Sequence, residues 1–560
     1  MKITYSQIKW MTAAFLAMEV SVISFVTGQT FISSNLPIVI INTNGQTIVN
    51  EPKITVDLGI IYNGEGVRNN VTDSLNHYKG KVSIEIRGSS SQMFPKKQYG
   101  FETRDALGED LAVSIFGMPE ESDWILSAQF NDKTLMRDVI TYSLSNAIGR
   151  YASRSRYCEL VINGQYQGVY ILLEKVKRDK NRVNIAKLDS TGTTGDALTG
   201  GYIIKIDKLD GSGNDGWYST FAPFTGSSYK ILYQYHYPKP EDIIEVQKTY
   251  IKNYILNFEA NMMLPTYDDT VNGYVKVLDV NSAIDYFIMN ELTKNVDGFR
   301  LSFYMHKDED SKNNKLILGP YWDYNHGFGN SDYYDGATIN GWQLSYLTTN
   351  STFKTTDQFQ PPFWWNRLLQ DKNFMNKVKL RWIELRKKQF VVKTVNAFID
   401  SLVVHLTEAQ QRNFVRWPIL NTYVWPNAYV GGSYVNEITY LKKWINDRIG
   451  WMDIELTGSP LAVAGKNTLT PAEFILFQNY PNPFNPSTVI EYQLPENSFV
   501  TLTLFDVLGK KVASLVDREQ NSGVYKIQFL SNDFQLSSGI YFYQLRAGMY
   551  SAQRKMVLLK

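Results

Sequence analysis

The sequence predicts an α+β domain followed by a small all-β domain, and three observations lead there. At 560 residues the chain is too long for a single hydrophobic core. Short strands alternate with amphipathic helix before residue 320, and helices dominate 363–414 and 435–452. From Phe474 onward, strands recur at short, regular spacing between turns, the pattern of a small immunoglobulin-like β-sandwich. The expected boundaries are a signal peptide at 1–28, a mixed domain at 29–457, a linker rich in Gly, Ser, Thr, Pro and Ala at 458–473, and the β domain at 474–560.

Residues 1–28 read as a secretory signal: Lys2 and Lys9 precede a largely apolar run from 10 to 26, and Thr27-Gly28 supply small residues. No later stretch is long and apolar enough for a membrane span. Lys and Arg number 57 against 55 Asp and Glu, a net charge of +2 that argues against a nucleic-acid or polybasic membrane partner. The single Cys158 excludes an internal disulfide, and no Cys set suggests zinc. Aromatics make up 14% of the chain, which core packing explains more simply than carbohydrate or peptide contact.

In residues 81–103, Val82, Ile84 and Ile86 alternate with Ser83, Glu85 and Arg87, as in a half-buried strand. The turn Gly88-Ser89-Ser90-Ser91 has small residues whose amides can wrap an anion. In the returning strand Lys97 shares a face with Tyr99 and Phe101, so it reads either as a phosphate ligand or as a lysine snorkelling at a strand edge. A helix is expected over 131–149, capped by Asp132 and stopped by Gly149. A hairpin turned by Asn163-Gly164 ends at Glu174, and a strand at 200–211 carries Lys205 and Asp207. Gly211, Gly213 and Gly216 spell a dinucleotide fingerprint, but no helix start follows, so the segment reads as a loop.

Residues 290–330 organise the rest. An apolar-periodic helix breaks at Asn295-Val296-Asp297-Gly298, a strand follows at 301–306, a second at 316–318, and Asp323 lies just past it. Asp297 and Asp323 thus stand at the two ends of a hairpin. One carboxylate can hold or deprotonate a substrate hydroxyl while the other binds a metal, the division that phosphoryl transfer needs. Asn325 offers a second oxygen to the same Mg²⁺. The five histidines show no metal-ligand spacing, and no GxSxG, HExxH or Walker motif occurs.

Residues from about 36 to 453 resemble the spore-coat CotH kinase family, secreted atypical protein kinases. RGSSSQMFPKKQYGFE, NDKTLMRD, CELVINGQYQGVYILLEKV, GGYIIKID, NVDGFRLSFYMHKD, GPYWDYNHGFGN and EITYLKKWINDRIGWMD carry the resemblance. It implies an atypical protein-kinase-like fold, binding of ATP with Mg²⁺ or Mn²⁺, and phosphorylation of secreted or surface proteins on hydroxyl side chains. Asp297 then falls at the catalytic-loop aspartate, Asp323 at the metal-binding aspartate and Lys97 at the phosphate-binding lysine, with Ser89, Ser90 and Glu174 near the nucleotide. Two positions depart from the pattern: Ser302 stands where a protein kinase carries a metal-binding Asn, and Asn325 where the family often has a second acid. Both weaken metal binding, so two readings stay open: an active exported kinase, or an impaired kinase-like surface binding protein or adhesin.

Residues 474–560 resemble the type A C-terminal sorting domain of the type IX secretion system, through FQNYPNPFNPSTVIEYQLPE, LFDVLGKKVASLVD and SSGIYFYQLRAGMYSAQRKMVLLK. That likeness implies type IX machinery as a partner, a Bacteroidota-like source, and secretion or surface display through the periplasm and outer membrane.

Overall fold

Apolar residues, alternating with polar ones at 82–87 and 98–103, help build the first element. In a computed structural model that describes residues 31–209, 215–459, 461, 474–479 and 481–559, seven strands close into a barrel. They are β1 (Ile38–Asn42), β2 (Ile54–Ile61), β3 (Tyr78–Arg87), β4 (Gln98–Arg104), β5 (Asp123–Ser127), β6 (Ser155–Ile162) and β7 (Gln165–Glu174). Their order around the barrel is β1-β2-β3-β4-β5-β7-β6; all neighbours are antiparallel except β6 and β1, which close it in parallel. Val56, Leu58, Val82, Ile84, Tyr99, Phe101, Leu126, Leu160 and Leu172 fill its interior. Cys158 is buried there as a free thiol. Alternation forces the other face of β3 and β4, with Arg87 and Gln98, outward.

The expected signal segment and most of the expected linker lie outside the described residues, as do Gly211 and Gly213. Gly216 opens a strand, not a helix. The described chain divides into two compact units after Ser459.

The first unit continues with α1 (Arg137–Ala147). The helix starts six residues later than the sequence suggests, because Leu135 takes left-handed backbone (φ 62°) and interrupts the turn. The N-cap position is Met136 rather than the expected Asp132, but Asp132 Oδ2 still accepts from Met136 N at 3.0 Å and Arg137 N at 2.8 Å at the helix start. A second, antiparallel sheet of five strands follows: β8 (Tyr202–Ile206), β9 (Gly216–Tyr218), β10 (Leu232–Tyr237), β11 (Phe303–Lys307) and β12 (Ile317–Leu318), in the order β9-β10-β8-β11-β12. Strand β11 begins two residues later than expected, since Ser302 has φ 50° and cannot pair as extended chain.

Between β10 and β11 lie α2 (Glu245–Met263) and α3 (Val280–Thr293). Asp279 caps α3, accepting from Ser282 N, and Lys294 ends it at φ 48°. Further helices, among them Lys372–Arg386, Val392–Leu406 and Tyr434–Thr457, pack the remainder. Among the described residues no helix is long and apolar enough to cross a membrane.

The second unit is all-β. A three-stranded and a four-stranded antiparallel sheet share one core that includes Ile490, Tyr492, Leu502, Leu504, Tyr543, Leu545 and Met556.

Candidate active site

The polar face of β3 and β4, the ends of β5 and β7, α1, β8 and the loops around β11 enclose one cleft of the first unit, with a cavity volume of about 190 Å³. Asp297, Asp323, Asn325, Ser302, Ser89 and Ser90 all line it. The structure thus brings together six of the sequence-predicted residues from three separated stretches.

The other two lie elsewhere. Lys97 is absent from the lining and donates to the Gln92 carbonyl at 2.6 Å. Glu174 is fully buried and also absent from the lining; it accepts from Arg154 Nη1 at 2.7 Å and from Tyr151 at 3.2 Å, with Arg182 at 3.7 Å. In place of Lys97, the cleft presents Arg87, Lys205 and Lys208. Among the described residues the Arg87 guanidinium has no ion-pair or side-chain hydrogen-bond partner; it lies over the Trp322 ring at 5.4 Å. Lys205 is only loosely paired, 3.8 Å from Asp207. Lys96 also reaches the lining, but its ammonium is committed to the Val169 carbonyl at 2.5 Å and Asn413 Oδ1 at 3.0 Å.

The carboxylates differ in their electrostatics. Burial opposes ionisation of Asp297, yet Arg300 and then His326 outweigh it and hold its carboxyl well below the usual range. Arg300 Nη2 donates to Asp297 Oδ1 at 2.6 Å, and His326 Nδ1 lies 3.5 Å from Oδ2. Asp323 opens to the solvent of the cleft but is enclosed by its walls. That enclosure raises its pKa, His326 partly offsets the rise, and Asp297 and Asp207 add to it. Asp207 is likewise raised, first by burial. A fourth acid of the cleft lining, Asp138 on α1, is lifted to about 7 by burial and by Asp323. It accepts from Tyr324 N at 2.7 Å and so fixes the loop that carries Asp323.

Oxygen ligands for a hard cation are present. Ser302 Oγ stands 3.5 Å from Asp323 Oδ2. Asn325 donates its Nδ2 to Asn131 Oδ1 at 3.0 Å, while its own Oδ1 is buried with no partner among the described residues. A buried amide oxygen without a partner, two positions from Asp323 and in the lining of the same cleft, fits a hard cation such as Mg²⁺. Among the described residues no three His, Cys, Asp or Glu side chains group as metal ligands.

Sequence reasoning set His326 aside for want of metal spacing and did not single out Asn131. Both face the cleft, joined through Asn131 Nδ2 and His326 Nε2 at 3.1 Å. They are 195 positions apart, a separation at which no local pattern shows contact.

The family model described as CotH kinase protein matches residues 84–452, about two thirds of the chain. The model described as secretion system C-terminal sorting domain matches residues 478–559, which implies interaction with type IX machinery and export to the cell surface or secretion. No curated protein matches the chain.

Proposed function

The chain belongs to the CotH kinase protein family, and from that membership we propose that it is an exported kinase. It would transfer the γ-phosphate of ATP, with Mg²⁺ or Mn²⁺, to hydroxyl side chains of secreted or surface proteins. One observation carries the reading. Asp207, Asp297 and Asp323 meet Arg87, Lys205 and Lys208 in a single cleft, so anion-holding and metal-holding groups face one space.

Arg87 and Lys205 would hold the phosphate oxygens, with the Ser89 and Ser90 turn beside them. Asp323, Asn325 through its free Oδ1 and Ser302 would hold the metal ion, which when bound supplies neutralisation of phosphate charge. Asp297 accepts a hydrogen bond from the substrate hydroxyl and orients it toward the γ-phosphorus. As the new O–P bond forms, the bond between the γ-phosphorus and the bridging oxygen breaks. The hydroxyl proton passes to Asp297, and ADP leaves. A carboxyl held well below its usual range is a weak base, which suits a loose transition state where alignment matters more than proton abstraction.

A second reading, a kinase-like surface binding protein without phosphate transfer, is favoured by the neutral side chains of Ser302 and Asn325 at two of the three positions read as metal ligands. Thermal stability with Mg²⁺ and ATP tests the nucleotide step: ATP at a hundredfold over its Kd should stabilise by about 2.7 kcal/mol. Unchanged melting at millimolar ATP and Mg²⁺ would favour the second reading.

A further inference from the structure

The side chain of Asn131 faces two groups of the cleft at once. Its Oδ1 accepts from Asn325 Nδ2 at 3.0 Å, and its Nδ2 meets His326 Nε2 at 3.1 Å. His326 Nδ1, on the far side of the ring, lies 3.5 Å from Asp297 Oδ2 and 3.3 Å from the Tyr333 hydroxyl. Asn131 is 3% exposed and His326 9%, so water does not readily replace these contacts. The Asn131 carbonyl is held by Asn330 Nδ2 at 3.0 Å and Asn427 Nδ2 at 2.7 Å, which leaves the residue little freedom.

We infer that Asn131 and His326 form a positioning relay that sets the orientation of Asp297 and frees the Asn325 amide oxygen. The polarity follows from its ends. A carboxylate only accepts, so Asp297 requires a proton on Nδ1, and the Tyr333 hydroxyl, which accepts as well as donates, fits the same state. An amide N–H directed at Nε2 requires a lone pair there, and both ends call for the same Nδ1–H tautomer. With Nδ2 of Asn131 turned to the imidazole, its Oδ1 takes the Asn325 N–H, and Asn325 Oδ1 is the atom left unpaired. Reversing any one member reverses all: Asn325 would then present N–H groups, which repel a cation.

His326 and Asn131 are positioning residues here, since neither needs to touch substrate. The inference rests on the reading of Asp297 as the group that orients the hydroxyl, and two experiments separate the one from the other. The first compares His326→Asn with His326→Gln in the full chain. The Asn amide N–H overlays Nδ1 and keeps the bond to Asp297; the Gln amide reaches toward Asn131 and loses it. His326→Gln should lower kcat about 10²-fold with KM for ATP nearly unchanged, and His326→Asn should recover to within about tenfold of the parent. Equal losses in both, or a loss confined to KM for ATP, would overturn the relay.

The second experiment needs no activity. Nitrogen NMR of ¹⁵N-histidine-labelled protein at pH 8.5 reads the tautomer, with the His326 signals assigned by their absence in His326→Asn. Protonated Nδ1 with bare Nε2 is expected. A proton on Nε2 would overturn the relay even if the protein proves an active kinase. The expected tautomer in a protein that transfers no phosphate would retain the relay and remove the kinase reading.

Discussion

Asp323 Oδ2 and Ser302 Oγ stand 3.5 Å apart, and both residues hold left-handed backbone, at φ 66° and 50°. Neither is glycine, so each conformation costs on the order of 1 kcal/mol or more. The geometry pins two candidate metal ligands at the mouth of one hairpin, each on strained backbone.

Asp323→Asn keeps a residue type that tolerates left-handed backbone and removes a charge crowded by Asp297 and Asp207. Melting without nucleotide should hold or rise, by on the order of 2 °C. The stabilisation by Mg²⁺ and ATP should disappear. Paired thermal scans with and without ligand check both halves.

Lys205→Met should raise KM for ATP tenfold to a hundredfold, as expected for losing a charge-assisted hydrogen bond of about 1.5–3 kcal/mol. Lys97→Met should stay within about twofold, because its ammonium is bonded to the Gln92 carbonyl and lies outside the cleft lining. Steady-state kinetics on the two variants decides which lysine serves the phosphates.

That contrast shows what the sequence made legible. The alternation of Val82, Ile84 and Ile86 against Ser83, Glu85 and Arg87 is a correct strand pattern, and the face shared by Tyr99 and Phe101 does point inward. Inward, however, means into the barrel core, whereas the cleft lies on the face of Arg87 and Gln98. Strand parity tells which residues share a face but not which face meets the ligand. Asp297 and Asp323 were legible because a hairpin is local. The Asn131–His326 contact was not, since it depends on how the segment before α1 docks on the loop after β12.

Arg448 and Glu291 form a fully buried ion pair at 3.1 Å, and Arg448 also donates to the Ile339 and Gly341 carbonyls at 2.6 and 2.8 Å. Arg448→Ala would leave Glu291 charged and buried without its partner, at a cost of about 3–5 kcal/mol. Denaturant unfolding followed at the first unit should shift by that amount.

Burial lifts the Glu259 carboxyl to about 7, with Ser219 and Tyr233 hydrogen bonds offsetting part of the rise. Its unfolded value is about 4.3, so between pH 4.3 and 7 the folded state binds more protons. The contribution of Glu259 is therefore full below about pH 4 and is lost as pH rises to about 7. Glu259→Gln should be more stable than the parent at pH 8, on the order of 1–3 kcal/mol, with the difference vanishing toward pH 4. Unfolding curves across pH 4–8 check the sign.

Phosphate transfer from γ-labelled ATP by the full chain, with Mg²⁺ or Mn²⁺, tests the central claim most directly when run beside Asp297→Ala and Asp323→Ala. The account predicts labelling of the protein itself or of a co-secreted protein, abolished by both substitutions. No label above background with either metal, in protein that melts cooperatively, would contradict it.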